Sequence, residues 1–344
     1  MDSVNSRVTR SQVAMVTVVA MVAFALVPCL SLAQTSLQSQ DAYPKKQPVR
    51  IVVGIAPGGG TDIAAREVAK NLTVRMGGSF IVENRDGASG AIAMQFVAKS
   101  APDGYTQYVA ANSAMAIAPM LKTVSFDTRK AFASIVHMDT QPYLLTVTPS
   151  LPVNTLKELI AYARARPGAL NFGSSGYTSP SYTGMVDFKS LTGTDIVHVP
   201  YKGAAVAALD AIGGRIQILL GSAVTVGTFV KNGKLKPIVV TSLRRTQAYP
   251  DLPTAAEAGL PGFEASITHS LFTVAGTPRP IILAVNKEVN QIMRLPDINA
   301  KLAADGAEAE PPNSPEELDE KITKEFLKWE KFYKENPEAL QLGR

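Results

Sequence analysis

The sequence predicts an α/β protein of two doubly wound domains, each a parallel sheet with helices on both faces. Three observations predict it. Short β-like apolar runs alternate with helical patterns. The alternation pauses near Pro142 and then starts again. Small polar loops follow the strand-like runs, on the edge where open α/β sheets present their binding crevice.

In the first series, residues 49–55, 80–83 and 105–110 read as strands, with helices at 63–75 and 91–99 between them. The second series has strands at 143–147, 170–173, 195–199, 216–220 and 236–241, separated by helices at 155–166, 179–191, 204–212 and 226–231. Further on, 270–275 reads as a strand, 280–294 as a helix and 305–315 as a polar connector. Ser314-Pro315-Glu316-Glu317 is a helix start, with Ser as N-cap, Pro at N1 and a carboxylate three residues on. It opens an amphipathic helix over 314–334 in which Leu318, Ile322, Phe326, Trp329 and Tyr333 share one face. Trp329 there is a packing anchor rather than a ligand platform.

The opening of the chain reads as an export signal. Arg7 and Arg10 precede an apolar run over 13–32, and Ser31-Leu32-Ala33 supplies the small residues of a cleavage site, leaving Gln34 first. About 20 apolar residues are also long enough for a retained anchor. A lipoprotein reading places Cys29 after the run, but Pro28 stands where a small residue is wanted. Cleavage after Ala33 leaves no cysteine, which excludes disulfides, thiolate catalysis and Cys-ligated metals. About 310 residues remain, enough for two domains with their own cores. The formal net charge of +5 falls to +4 without the leader. With basic residues scattered and no aromatic-basic stripe, nucleic acid is excluded as a partner. No second apolar run reaches spanning length, so the mature chain is expected to be a soluble, periplasmic monomer.

The most informative stretch is Pro57-Gly58-Gly59-Gly60-Thr61-Asp62, between an apolar run and a helical pattern. A strand feeding a helix through glycines leaves first-turn N–H groups free, and the helix dipole adds positive charge where they point. G-x-G-x-x-G would need glycine where Ile63 stands, and no Lys-Ser/Thr pair follows, so neither nucleotide fingerprint fits. A small anion such as a carboxylate suits this turn. So does a purely structural role with Thr61 or Asp62 as N-cap. Other loops fall at corresponding strand ends: Gly87, Ala88, Ser89 and Gly90; Asn112 and Ser113; Ser174, Ser175, Gly176, Thr178 and Ser179; Tyr201 and Lys202; and Ser222. Each alone is ordinary turn chemistry. Their coincidence on one edge points to a cleft walled by backbone N–H groups and hydroxyls.

Taken in order, Tyr43-Pro44, Ala56-Pro57-Gly58-Gly59-Gly60-Thr61-Asp62, Val82-Glu83-Asn84-Arg85, Pro102-Asp103-Gly104-Tyr105-Thr106, Phe172-Gly173-Ser174-Ser175-Gly176, Val199-Pro200-Tyr201-Lys202-Gly203 and Leu252-Pro253-Thr254-Ala255-Ala256-Glu257-Ala258-Gly259 resemble the Bug, or TctC, family. These are extracytoplasmic solute-binding proteins of tripartite tricarboxylate transport systems. The resemblance covers the chain after the leader. It implies a periplasmic binding protein type II-like fold, with domain 1 at 34–140 plus 263–344 and domain 2 at 141–262. A two-stranded hinge near 136–143 and 241–263 would close the domains on a carboxylated solute, which then passes to membrane permease subunits. It also implies that residues 57–62 and 87–90 hold one carboxylate through main-chain groups and waters, while 174–179 read the far end. On that reading Gly59→Val blocks the carboxylate and Ser175→Ala costs about 1 kcal/mol.

Three departures stand out. Asp86 replaces the usual proline before Gly87, and either biases the site against a second carboxylate or points to solvent. Ser181-Tyr182-Thr183 continue the serine-rich loop where relatives carry His-Leu in its last two positions. Ile267, Thr268 and His269 stand where a tryptophan is common. His137, His198 and His269 are the only histidines, none at metal-ligand spacing, and no H-E-x-x-H or G-x-S-x-G is present, so neither metal nor cofactor is expected. Ser174 and Ser175 keep a secreted serine hydrolase open as an alternative. A ligand sensor docking on a signalling receptor is another.

Overall fold

The computed structural model describes residues 43–304 and 306–335, so the expected leader over 1–33 lies outside the described residues. Val49–Val53 (β1) is buried almost throughout, as a strand covered on both faces must be. It is followed by Gly60–Met76 (α1), Phe80–Asn84 (β2), Ala91–Ala98 (α2), Thr106–Ala111 (β3), Asn112–Met120 (α3), Thr128–Ala131 (α4) and Phe132–Val147 (β4). Next come Leu156–Arg164 (α5), Asn171–Ser174 (β5), Pro180–Thr192 (α6), Val197–Pro200 (β6), Ala204–Ile212 (α7), Ile218–Ser222 (β7), Ala223–Lys231 (α8) and Lys236–Val240 (β8). Ser266–Val274 (β9), Arg279–Ile292 (α9), Pro296–Ala304 (α10), Glu308–Ala309 (β10) and Pro315–Glu335 (α11) complete the described chain.

The strands form one curled path, β2-β1-β3-β9-β4-β7-β5-β6, with β8 and β10 also on β4. Parallel pairing holds where helical crossovers exist: β1 with β2 and β3, and β5 with β6 and β7. The expectation of purely parallel sheets is corrected at the centre. There β4 runs antiparallel to β7, β8, β9 and β10, and β9 antiparallel to β3. The reason is that β4 serves both halves. Residues 132–142 pair with β9, and 143–147 with β7 and β8. From periodicity only 143–147 read as a strand, because Asp139, Gln141 and Pro142 interrupt the apolar run; the stretch near 136–143, expected as a hinge strand from the resemblance alone, is part of β4.

The chain passes between the halves a second time from β8 to β9, directly beside the first crossing. Tyr143 N–H donates to Thr241 Oγ1 at 2.9 Å, and the Thr241 hydroxyl donates to Ala265 O at 2.5 Å. Two parallel trios are thus tied at one seam. Apolar cores lie on both sides of it. On the first side, α11 lays Leu318, Ile322, Phe326, Trp329 and Tyr333 against Met115, Ile117, Phe132 and Phe272. Each such burial is worth about 1.5–3 kcal/mol. The start of α11 is the expected reciprocal cap: Glu317 N–H donates to Ser314 Oγ at 3.2 Å, and Ser314 N–H to Glu317 Oε2 at 2.6 Å. The polar connector before it contributes β10, and α3, α4 and α10 were not legible as helices.

Candidate ligand-binding cleft

A small cavity of about 70 Å³ lies at the seam, beneath the carboxyl ends of the parallel strands. Its walls include Tyr108 and Val109 from β3, Tyr143 from β4, Leu220 from β7 and Ile267 from β9, with hydroxyls from Thr61, Ser175, Thr178, Ser179, Ser181 and Ser222. No charged side chain belongs to this lining among the described residues. A more open recess of about 200 Å³ adjoins it and shares Gly54, Ser89, Gly90 and Ser175.

The polarity of the cavity comes from helix ends. The first turns of α1, α6, α7 and α8 contribute Gly60, Pro180, Ala204 and the N-cap Ser222 to the lining; Gly90 and Ala111, the residues before α2 and α3, also line it. Five of these helices, α1, α2, α3, α7 and α8, have no side chain capping their first N–H groups. Of the helices starting elsewhere, α4 is capped by Asp127, α5 by Thr155 and α11 by Ser314, while α9 has no side-chain cap. Uncapped N-termini carry partial positive charge and free donors, so their convergence suits an anion without needing a cation.

In the first loop Asp62 is a strut. Its carboxylate accepts from Gly58 N–H at 2.9 Å, Arg66 Nε at 3.0 Å and Asn84 Nδ2 at 2.8 Å. Burial pushes its pKa up, but these donors and the Arg66 charge outweigh it and hold the group below the ordinary carboxylate range. Thr61 beside it lines the cavity and shares a 3.1 Å bond with His269 Nε2. His269 Nδ1 lies 2.8 Å from Asp139 Oδ1, which also accepts from Gln141 Nε2 at 3.0 Å. His269 and Asp139 are register neighbours on β9 and β4, so the pairing follows from the sheet.

In the second loop Ser174 is buried against His198, Oγ to Nε2 at 2.7 Å, and its Oγ also accepts from Gly176 N–H at 3.1 Å. His198 is packed among Phe172, Tyr177 and Tyr182. Burial, helped by Lys189, lowers its pKa to about 4, so it is neutral. Ser179 caps α6, donating to Gly176 O at 2.6 Å and accepting from Tyr182 N–H at 3.3 Å.

The two halves touch across the cleft mouth. Ala56 N–H donates to Lys202 O at 3.0 Å. Tyr177 N–H donates to Ser89 Oγ at 3.2 Å, and the Thr178 hydroxyl to Ser89 O at 2.7 Å. Lys202 Nζ sits 3.4 Å from Asp86 Oδ2. Gly176 has φ 100°, and a Cβ there would lie 2.6 Å from Ser89 Oγ. Ala88 and Ser89 both adopt left-handed backbone, φ 45° and 53°, which costs each about 1–2 kcal/mol. The Ser89 contacts hold that conformation.

The family model for the tripartite tricarboxylate transporter family receptor, TctC, matches residues 64–336. BugT of Bordetella pertussis is 31% identical over 271 residues, covering 78% of this chain and 83% of that protein. The chain belongs to the TctC receptor family. A Rhodopseudomonas palustris protein solved with adipate is 34% identical with TM-score 0.81, covering 85% of this chain and 97% of the other. MatC of the same organism, with bound malate, is 30% identical with TM-score 0.80 over 84% and 99%. The periplasmic binding protein BugD is 29% identical with TM-score 0.81 over 85% and 98%. Family and neighbours are binding proteins, and the hydrolase alternative gains no support from them.

For this TctC receptor, the residues expected at the site divide by position. Gly60, Thr61, Ser89, Gly90, Ser175, Thr178, Ser179 and Ser222 line the cavity. Gly87, Ala88, Gly176, Tyr201 and Lys202 line the adjoining recess. Pro57, Gly58, Gly59, Asp62, Asn112, Ser113 and Ser174 line neither. Pro57 and Gly58 are exposed, Asp62 braces the loop, and Ser174 faces His198. A Cβ on Gly59 would meet the end of Ile55, whereas one on Gly60 would lie 3.0 Å from Ser222 Oγ. Close packing against the other half therefore belongs to Gly60. Asp86 neither faces the cavity nor lies free, since it pairs with Lys202. Sequence reasoning missed Tyr108, Tyr143, Ile267 and Ser181. Strand alternation would have pointed Tyr108 and Ala110 to one face, but not which face the cavity takes.

Proposed function

We propose that this TctC receptor captures a small carboxylated organic solute in the seam cavity and, closed around it, delivers it to the permease subunits of a tripartite tricarboxylate-type transporter. The observation that carries the reading is the gathering of uncapped helix N-termini around a cavity lined by hydroxyls, with no charged side chain among the described residues. Its volume of about 70 Å³ is far below the ~300–1,000 Å³ of drug-sized sites, which favours an acid of a few carbons. Solved relatives hold adipate and malate, and the same chemistry is proposed here.

On this reading the halves are domains, 34–140 plus 263–344 and 141–262, which rotate about the seam at Tyr143, Thr241 and Ala265. Ligand bound to both halves favours the closed form by its differential affinity. The leader over 1–33 exports the chain to the periplasm, where it works as a monomer. A thermal-shift screen with dicarboxylates of four to six carbons tests it, since a ligand that binds only the folded state raises Tm. Stoichiometric binding confirmed by calorimetry, without turnover, is the expected result. No shift with any carboxylate, against a shift with a neutral or cationic solute, ends the reading. Crosslinking of the liganded protein in native envelopes tests the permease partner.

A further inference from the structure

We infer that the Asp139–His269 pair fixes Thr61 as a hydrogen-bond acceptor, so that the site selects a solute carrying a hydroxyl beside its carboxylate over the same acid without one. The inference rests on the carboxylate-receptor reading above. Asp139 Oδ1 sits 2.8 Å from His269 Nδ1 and already accepts from Gln141 Nε2. A carboxylate can only accept, so Nδ1 carries a proton, and with the imidazole neutral Nε2 presents its lone pair. The Thr61 hydroxyl, 3.1 Å from Nε2, must then donate to it. With its single proton committed, Thr61 has only lone pairs to offer the cavity that it lines. Histidine, aspartate and glutamine are each nine-tenths or more buried, which keeps water from scrambling this order.

A second buried acceptor stands behind this corner, outside the lining, on the residue that braces the same aspartate. Gln141 turns its NH₂ to Asp139, and its Oε1 is buried with no partner among the described residues. That oxygen lies 3.3 Å from the Cβ position of Gly60, in the first turn of α1. The N–H groups there suit a carboxylate, while the Thr61 acceptor in the lining calls for a donor on the solute. A hydroxyl meets that need. An ammonium does not, because the converging helix ends are positive and no carboxylate lines the cavity among the described residues. A buried acceptor left unpaired penalises an analogue that lacks the hydroxyl.

The test compares matched 2-hydroxy and deoxy diacids of four, five and six carbons, beginning with malate and succinate, by calorimetry on the full mature chain. The hydroxylated member of each pair that binds should be tighter by about ten-fold. Thr61→Val should bring the ratio to near one, Thr61→Ser should keep it, and His269→Phe should collapse it although Thr61 remains. Nitrogen-15 NMR of histidine-labelled protein should show the His269 proton on Nδ1 in the ligand-free state, a readout that holds even if a variant fails to fold. Diacids that bind with no preference for the hydroxyl, or a proton on Nε2, overturn this inference and leave the receptor reading intact. Failure of every acid to bind removes both.

Discussion

His198 and His137 are two residues through which solution pH reaches this fold. Burial pushes each pKa down from 6.5 to about 4, with Lys189 adding to the effect at His198 and Lys321 at His137, while Glu310 opposes it there. At these two sites the folded state binds fewer protons than the unfolded chain between pH 4 and 6.5, so their contribution to stability rises with pH through that window and is level above it. A Tm profile should fall as pH drops from 6.5 toward 4. His198→Phe keeps the stacking on Phe172 and should flatten part of that fall, by on the order of 3 kcal/mol at most. An unchanged acid slope in the variant would show that His198 is not the group responsible. Nothing in the sequence marked either histidine as buried. Ser174 reads from sequence as a ligand serine for the same reason: its partner at 2.7 Å lies 24 residues away on a neighbouring strand.

At the scale of elements, the proposed reading gives recognition to the helix starts around the seam cavity, and glycine position tests it. Gly60→Val should place methyl groups against Ser222 and Gln141 and lower solute affinity by more than about ten-fold. Gly59→Val should change it little, since its Cβ meets only the flexible end of Ile55. Calorimetry on both variants checks this, and equal losses would move the site back along the loop. The Gly-rich turn, the serine loop and most strand-helix alternation were legible because glycine clusters and apolar periodicity are local signals. The helix α3 was not, since Pro119 lies within it and six of its nine residues are buried with none exposed, which leaves no amphipathic pattern. The antiparallel centre was illegible too, because pairing direction depends on where the chain returns.

For the whole molecule, the contacts across the mouth define a closed arrangement. The Asp86–Lys202 pair is exposed, 32% and 75% by side chain, so it contributes little, about 0–1 kcal/mol, and is screened by salt. Asp86→Asn should weaken solute binding by less than about five-fold and remove part of its salt dependence. The Ser89 bonds are shielded and count for more. Small-angle scattering should show the unliganded protein wider than the liganded one, and identical profiles would argue against closure.

Tyr143 and Ala265 lie side by side where the chain leaves one half and returns to it. On the proposed division the stretch from 144 to 264 is topologically an insertion, into a host that keeps β1, β2, β3, β9, β10 and the first part of β4. If the proposed division holds, the far lobe is exchangeable. A chimera carrying a relative's corresponding segment, joined at these two neighbouring points, is expected to keep the host's strand order and to change the solute preference read by calorimetry.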